Sequence, residues 1–306
     1  MSQKDKKLNN YMILAEGFSD KGEYEKAVDN YYKAINFADE KEQEEIFFEI
    51  ADIHLLKENY SEAEKAYDDI LKINSYSAGA YYGLALTTEL RQGNVSRVIE
   101  NYKKAIEIDP GYDRAYYYLA HQYLKQNDKK SALEALEKCL ELNPEDYVSC
   151  NDIGSIYENE KNFERAEKYF RQSLKINPEY FRALYNMGVV CKARGDNEKA
   201  LSYYKKAKEF SNFENIYLNM SAIYIEEEDL KSALDILTKG IKFNEDSINL
   251  HYNRACVNAK LKELDKAVED YKWAVGLNRD VEIWARKDPD LKDVIKGVKD
   301  DNNKDA

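Results

Sequence analysis

The stretch NPEDYVSCNDIGSIYENEKNFERAEKYFRQSLKINP, residues 143–178, opens and closes on Asn-Pro, and Asp109-Pro110 stands the same 34 residues upstream. A fixed interval of this size is the mark of a repeat array, in which each unit is one supersecondary element stacked on the next. Counting back 31 residues from Pro144 and Pro178 sets position 1 of two units at Asp113 and Tyr147. The same frame places a small residue at position 20 almost everywhere, as Ala27, Ala63, Ala132, Ala166, Ala200, Ala233 and Ala267, with Val98 the exception. Position 24 is correspondingly large: Tyr31, Tyr67, Tyr102, Leu136, Phe170, Tyr204, Leu237 and Tyr271.

This pattern resembles the tetratricopeptide repeat family, whose units read W-x2-L-G-x2-Y, then A-x3-F, then proline. The match is clearest in the fifth unit, with Ile153-Gly154, Tyr157, Ala166, Phe170 and Pro178, and in the fourth, with Tyr116, Leu119-Ala120, Tyr123, Ala132 and Pro144. Eight repeats are expected, beginning near Leu8, Glu44, Ala78, Asp113, Tyr147, Phe181, Glu214 and Ile248. The implied fold is all-α: a right-handed superhelical solenoid of helix-turn-helix pairs plus a C-terminal capping segment, elongated rather than compact. Alanine at position 20 lets helix A and helix B of a repeat approach while large residues fill the flanks.

The register slips at three places. Two extra residues fall within Phe37 to Glu42 and are expected in the turn between the first two repeats. The third repeat carries one extra residue between Leu84 and Gly93, in helix A or its turn. The step from the sixth repeat to the seventh is one short and has no proline. The expected organisation is an N-terminal tail (1–7), the solenoid (8–280), a cap (281–299) and a disordered tail (300–306). In the cap, Asp288 offers a helix N-cap and Pro289 a first helical position, with Trp284 and Leu291 expected to cover the last helix B. The eighth repeat and this stretch look like the end-of-group form seen in bacterial members of the family.

Four prolines, 12 glycines and 34 % charged residues suit a nearly all-helical chain. A net charge of −12 works against nucleic acid or anionic lipid, which bind clustered Lys and Arg. No apolar run is long enough to span a membrane and no signal peptide is apparent, so a soluble, cytoplasmic chain is expected. Cys139, Cys150, Cys191 and Cys256 show no metal or disulfide spacing and are expected as reduced, packed thiols.

No nucleophile, phosphate-loop, metalloprotease or dinucleotide motif is present, so neither catalytic residues, metal ligands nor a cofactor is expected and the chain is not read as an enzyme. Of three histidines, His54 and His251 fall on core positions, and His121 faces the groove. In this family helix A makes the concave wall. Its ligand-facing positions here supply Glu45, Phe48, Glu49 and Asp52, then Tyr82, Arg114, Tyr117, Tyr118, His121 and Lys125, then Arg182, Tyr185 and Lys192. Aromatic and Arg side chains on such a wall suit peptide hot spots, although 26 tyrosines would place several there in any case. Asn186, Asn219 and Asn253 recur at position 6, resembling the asparagine ladder of some family members, which can track a peptide backbone; asparagine is also the ordinary residue at that position.

The carboxylate clamp of chaperone-binding members is not matched: Asn151, Ser155, Asn186, Asn215 and Asn219 occupy the nearest frame without its cations. The resemblance implies a protein- or peptide-binding adaptor holding an extended, acidic or carboxylate-bearing segment in its groove. The alternatives are a peptide-sensing regulator, or a structural subunit binding through its ends or convex face. Neither the partner nor the oligomeric state is legible.

Overall fold

The computed structural model describes residues 2–304, with side chains to residue 298. Among them are α1 (Gln3–Ser19), α2 (Tyr24–Ile35), α3 (Glu40–Leu56), α4 (Tyr60–Ile73), α5 (Ala78–Leu90), α6 (Val95–Ile108), α7 (Asp113–Lys125), α8 (Lys129–Leu142) and α9 (Tyr147–Asn159). There follow α10 (Phe163–Ile176), α11 (Phe181–Ala193), α12 (Asn197–Phe210), α13 (Glu214–Glu226), α14 (Leu230–Phe243), α15 (Ile248–Lys260) and α16 (Leu264–Leu277). The cap is α17 (Val281–Ala285), a 3-10 turn (Pro289–Leu291) and α18 (Lys292–Lys304). No described residue is in a strand. Odd-numbered helices α1 to α15 are the A helices of eight repeats and even-numbered α2 to α16 the B helices. The chain divides into two compact units, 1–149 and 150–306, with the division inside α9.

Two local devices make each repeat. Between A and B one residue takes positive φ: Gly22, Glu58, Gln92, Asn127, Lys161, Gly195, Glu228 and Lys262. Just beyond it Asp128, Asn162, Asp196 and Asp229 cap their B helices, each side chain accepting the backbone N–H three residues on. At the far end of helix B the side chains of Asn74, Asp109, Asn143, Asn177 and Asn278 each accept the N–H two residues later, turning the chain toward the next A helix. The Asp/Asn-Pro dipeptide is this turn with a proline added, and it folds the same way without one at Asn74 and Asn278.

The alanines at position 20 are fully buried, and Val98 nearly so. The small residue at position 8 has a specific use. A Cβ on Gly154 would stand 2.6 Å from the Phe170 ring, and one on Gly188 2.4 Å from that of Tyr204. Each glycine therefore makes room for the large position-24 ring of its own repeat.

Several expectations change. The expected 1–7 tail is helical from Gln3, because Ser2 and Asp5 form a reciprocal capping box. The two extra residues after the first repeat extend α3 rather than the turn, since Asp39 and Glu42 form a second capping box that starts the helix at Glu40. Of the two places expected for the extra residue of the third repeat, the turn holds it, at Arg91–Asn94, and α5 keeps its usual length. In the cap, Asp288 accepts the Asp290 N–H as expected and Leu291 is fully buried with Val281, Ala285 and Val294, but Trp284 is 48 % exposed and is not part of that buried cluster. The expected disordered tail 300–306 is helical as far as Lys304, where α18 ends, and residues 305–306 lie outside the described residues.

In the second unit, buried Asp270 accepts a bidentate pair of hydrogen bonds from Arg254 at 2.8 and 2.6 Å and a third from Asn258 at 3.2 Å. His251 Nδ1 lies 3.2 Å from the same carboxylate and its Nε2 3.0 Å from the Glu245 carbonyl oxygen. His251 is therefore the packed residue its position implied, held in a polar network rather than an apolar slot.

Candidate functional site

In the first unit, α5 and α7 bring five of the predicted groove residues together. Tyr82 packs against Tyr112, Tyr102 and Tyr118 with ring centroids 5.0, 5.8 and 5.9 Å apart. Tyr117 meets Tyr118 edge-on at 5.3 Å and His121 at 4.5 Å. Burial pushes the Tyr82 phenol well above its ordinary range, the nearby Tyr118 and Tyr112 hydroxyls adding to the effect. Tyr82 and Tyr118 are thus partly structural, and Tyr118 also lines, with Tyr117, Arg114, Asp113, Asn143 and Asp146, an open pocket of about 390 Å³.

Cys139 also borders this pocket. Its thiol donates to Asp146 at 3.4 Å and is pushed up to about 12, chiefly by burial. It is a packed thiol and not a nucleophile. Sequence reading missed Asp113 and Asp146 as pocket residues, because an acidic side chain at a helix start reads as a cap.

In the second unit Arg182 is exposed, its guanidinium 5.4 Å from the Phe181 ring. The Tyr185 hydroxyl accepts a hydrogen bond from Asn219 at 3.1 Å, and Asn219 donates also to the Tyr204 hydroxyl at 3.3 Å. Asn186 donates to Asn151 Oδ1 at 3.0 Å and to Ser155 Oγ at 3.2 Å. Because Asn151 donates its own amide to Asp152, its oxygen must be the acceptor, which fixes the direction of the Asn186 bond. Both N–H groups of Asn186 are consumed inside the protein, leaving only its carbonyl oxygen for a ligand. Asn253, on α15, is half-buried.

The basic character expected at the centre is partly cancelled. Lys125 is paired with Glu89 at 2.6 Å, and Lys192 with Glu226. Arg114 and Arg182 are the predicted groove cations without an ion pair among the described residues.

Tetratricopeptide repeat models match residues 44–76, 89–149, 148–212 and 248–281. The chain belongs to the tetratricopeptide repeat family. No curated protein sequence matches it. Among solved structures it is similar to a tetratricopeptide repeat protein from Parabacteroides merdae (20% identity, 79% of this chain and 95% of that one, TM-score 0.60). It is also similar to pilF of Pseudomonas aeruginosa (20% identity, 69% and 97%, TM-score 0.59). A third likeness is to YrrB, described as "a TPR protein with an unusual peptide-binding site" (25% identity, 61% and 94%, TM-score 0.50). The first two bear on the fold alone. Among the described residues no helix is long and apolar enough to cross a membrane.

Proposed function

We propose that this tetratricopeptide repeat protein is a non-catalytic, cytoplasmic adaptor whose A-helix wall holds an extended segment of a partner protein. The observation that carries the reading is the cluster of Tyr82, Tyr117, Tyr118 and His121 beside the open pocket at Arg114. Large, rigid aromatic faces next to an unpaired guanidinium bury area at low entropic cost and can still orient a polar group. The likeness to YrrB, with its peptide-binding site, supports the same reading. In the first unit Arg114 meets an acidic or carboxylate-bearing group and Tyr117 contacts a side chain of such a segment; in the second, Arg182 and Tyr185 offer the same contacts and Asn186, Asn219 and Asn253 accept backbone N–H groups.

The test is to select peptides against the full chain and measure their affinity for Arg114→Ala, Tyr117→Ala and Arg182→Ala. A loss of about tenfold or more in at least one of them, about 1.4 kcal/mol, is expected. Full affinity in all three would move the interface off this wall. One observation favours a second reading, attachment through the C-terminal end: both tryptophans are half-exposed there, Trp273 at 51% and Trp284 at 48%.

A further inference from the structure

We propose that the wall formed by α1 and α3 docks a cationic segment of a partner protein in which Lys or Arg alternates with aliphatic side chains. This goes beyond the reading above and rests on it only in taking the A-helix face as the one that meets ligand.

Glu45, Glu49, Asp52 and Leu56 follow one another on α3 at helical spacings of four, three and four, so they form one stripe, and all are exposed. On α1, Ile13 and Glu16 form a shorter stripe that ends near Asp20. Leu56 and Ile13 are 66% and 67% exposed, in a chain that otherwise buries most aliphatic side chains. The two helices belong to consecutive repeats, and their charges act on one group: Glu49, Glu16 and Asp20 together raise the Tyr31 phenol, after burial itself, to about 12.

Glu45 has Lys41 of its own helix at 3.9 Å, but the carboxylates further along the wall lack cations. Glu25, Glu89 and Glu226 each hold a lysine from a neighbouring repeat: Lys57, Lys125 and Lys192. Glu16, Glu49 and Asp52 form no ion pair among the described residues. Partial desolvation raises Glu49 and Asp52, and the charges of Asp52 and Glu16 raise Glu49 further, so both repel it. An ammonium or guanidinium lying between them removes that repulsion, and aliphatic side chains on either side of it cover Leu56 and Ile13. An anionic segment adds to the repulsion, and a purely apolar one leaves the carboxylates desolvated and unpaired.

The experiment uses the full chain and a labelled peptide of alternating lysine and leucine, with the glutamate–leucine peptide as control, followed by fluorescence anisotropy at several salt concentrations. The expected results are no binding of the control peptide, about tenfold weaker binding of the cationic one by Glu49→Gln/Asp52→Asn with a flatter salt dependence, and several-fold weaker binding by Leu56→Ser. Glu198→Gln/Glu209→Gln, an equal loss of charge elsewhere, should bind as the parent does. Equal loss in the two double variants would reduce the effect to net charge and overturn the proposal, as would full binding by Glu49→Gln/Asp52→Asn. Loss in Arg114→Ala or Tyr117→Ala with none here would place the cationic segment at the central cluster instead and overturn it too. A melting temperature at or above the parent's shows that the Glu49→Gln/Asp52→Asn chain is folded.

Discussion

The side-chain amide of Asn186 donates to the carbonyl oxygen of Asn151 at 3.0 Å, tying the sixth repeat to the fifth through two residues of the expected ligand wall. Asn151 is buried, so the loss of its partner leaves an acceptor desolvated and unsatisfied. Asn186→Ala should therefore cost about 1–3 kcal/mol of stability with no ligand present. Urea unfolding monitored by circular dichroism checks this. An unchanged midpoint would show that the amide serves ligand alone, as the ladder resemblance implied.

The cap gives a pair of opposite expectations. Leu291 is enclosed by Val281, Ala285 and Val294, so Leu291→Ala should cost about 2–5 kcal/mol, the usual range for a buried leucine. Trp284, half-exposed, should cost less than about 1 kcal/mol on change to alanine. Thermal melts of the two variants decide it. A larger loss at Trp284 would restore it to the covering role its position suggested.

Six of the eight residues at positive φ between helices A and B are not glycine. A left-handed conformation costs an L-residue about 1–2 kcal/mol, partly offset in a glycine variant by the greater entropy of its unfolded chain. Lys161→Gly should raise stability by about 0.5–1 kcal/mol, and Gly195→Ala should lower it by about 1 kcal/mol. A matched pair of denaturation curves tests both signs.

Glu49 and Asp52 have folded-state pKa values raised above their unfolded ones, so the folded state takes up protons more readily. Their cost to stability is fully present above the raised values and disappears as pH falls through them. Glu49→Gln/Asp52→Asn should thus melt slightly higher at neutral pH, on the order of a degree or two, because both groups are open to solvent and screened. The advantage should vanish near pH ~4, where the parent is itself protonated. An advantage independent of pH would assign the gain to packing instead.

Much of the site's membership was legible, and its chemistry much less so. The repeat frame placed Tyr82, Arg114, Tyr117, Tyr118 and His121 on one wall because a fixed period maps position onto face, and ring contacts unite four of them around the pocket that Arg114 lines. It could not show that Lys125 and Lys192 are spent on Glu89 and Glu226, since each pair joins neighbouring repeats through rotamers that no spacing specifies. Nor could it show Asp146 beside Arg114, since the two stand at the starts of different helices, α9 and α7.

The sequence by itself determined the number of repeats, the start of helix A in the third to the eighth of them and the buried small residue of each crossing, alanine everywhere but at Val98. These depend on local propensity, caps and a period that recurs eight times, so each copy corroborates the others. The tertiary structure decided where the inserted residues went, because Asp39 and Glu42 had to close a capping box before they could lengthen α3 rather than a turn. It also decided which of Trp284 and Leu291 seals the end of α16, since burial depends on the direction in which the 3-10 turn at Pro289 returns the chain. And it decided that Asn186 and Asn219 at position 6 bind their own neighbours, because a hydrogen bond is set by distances between separate helices rather than by position along one.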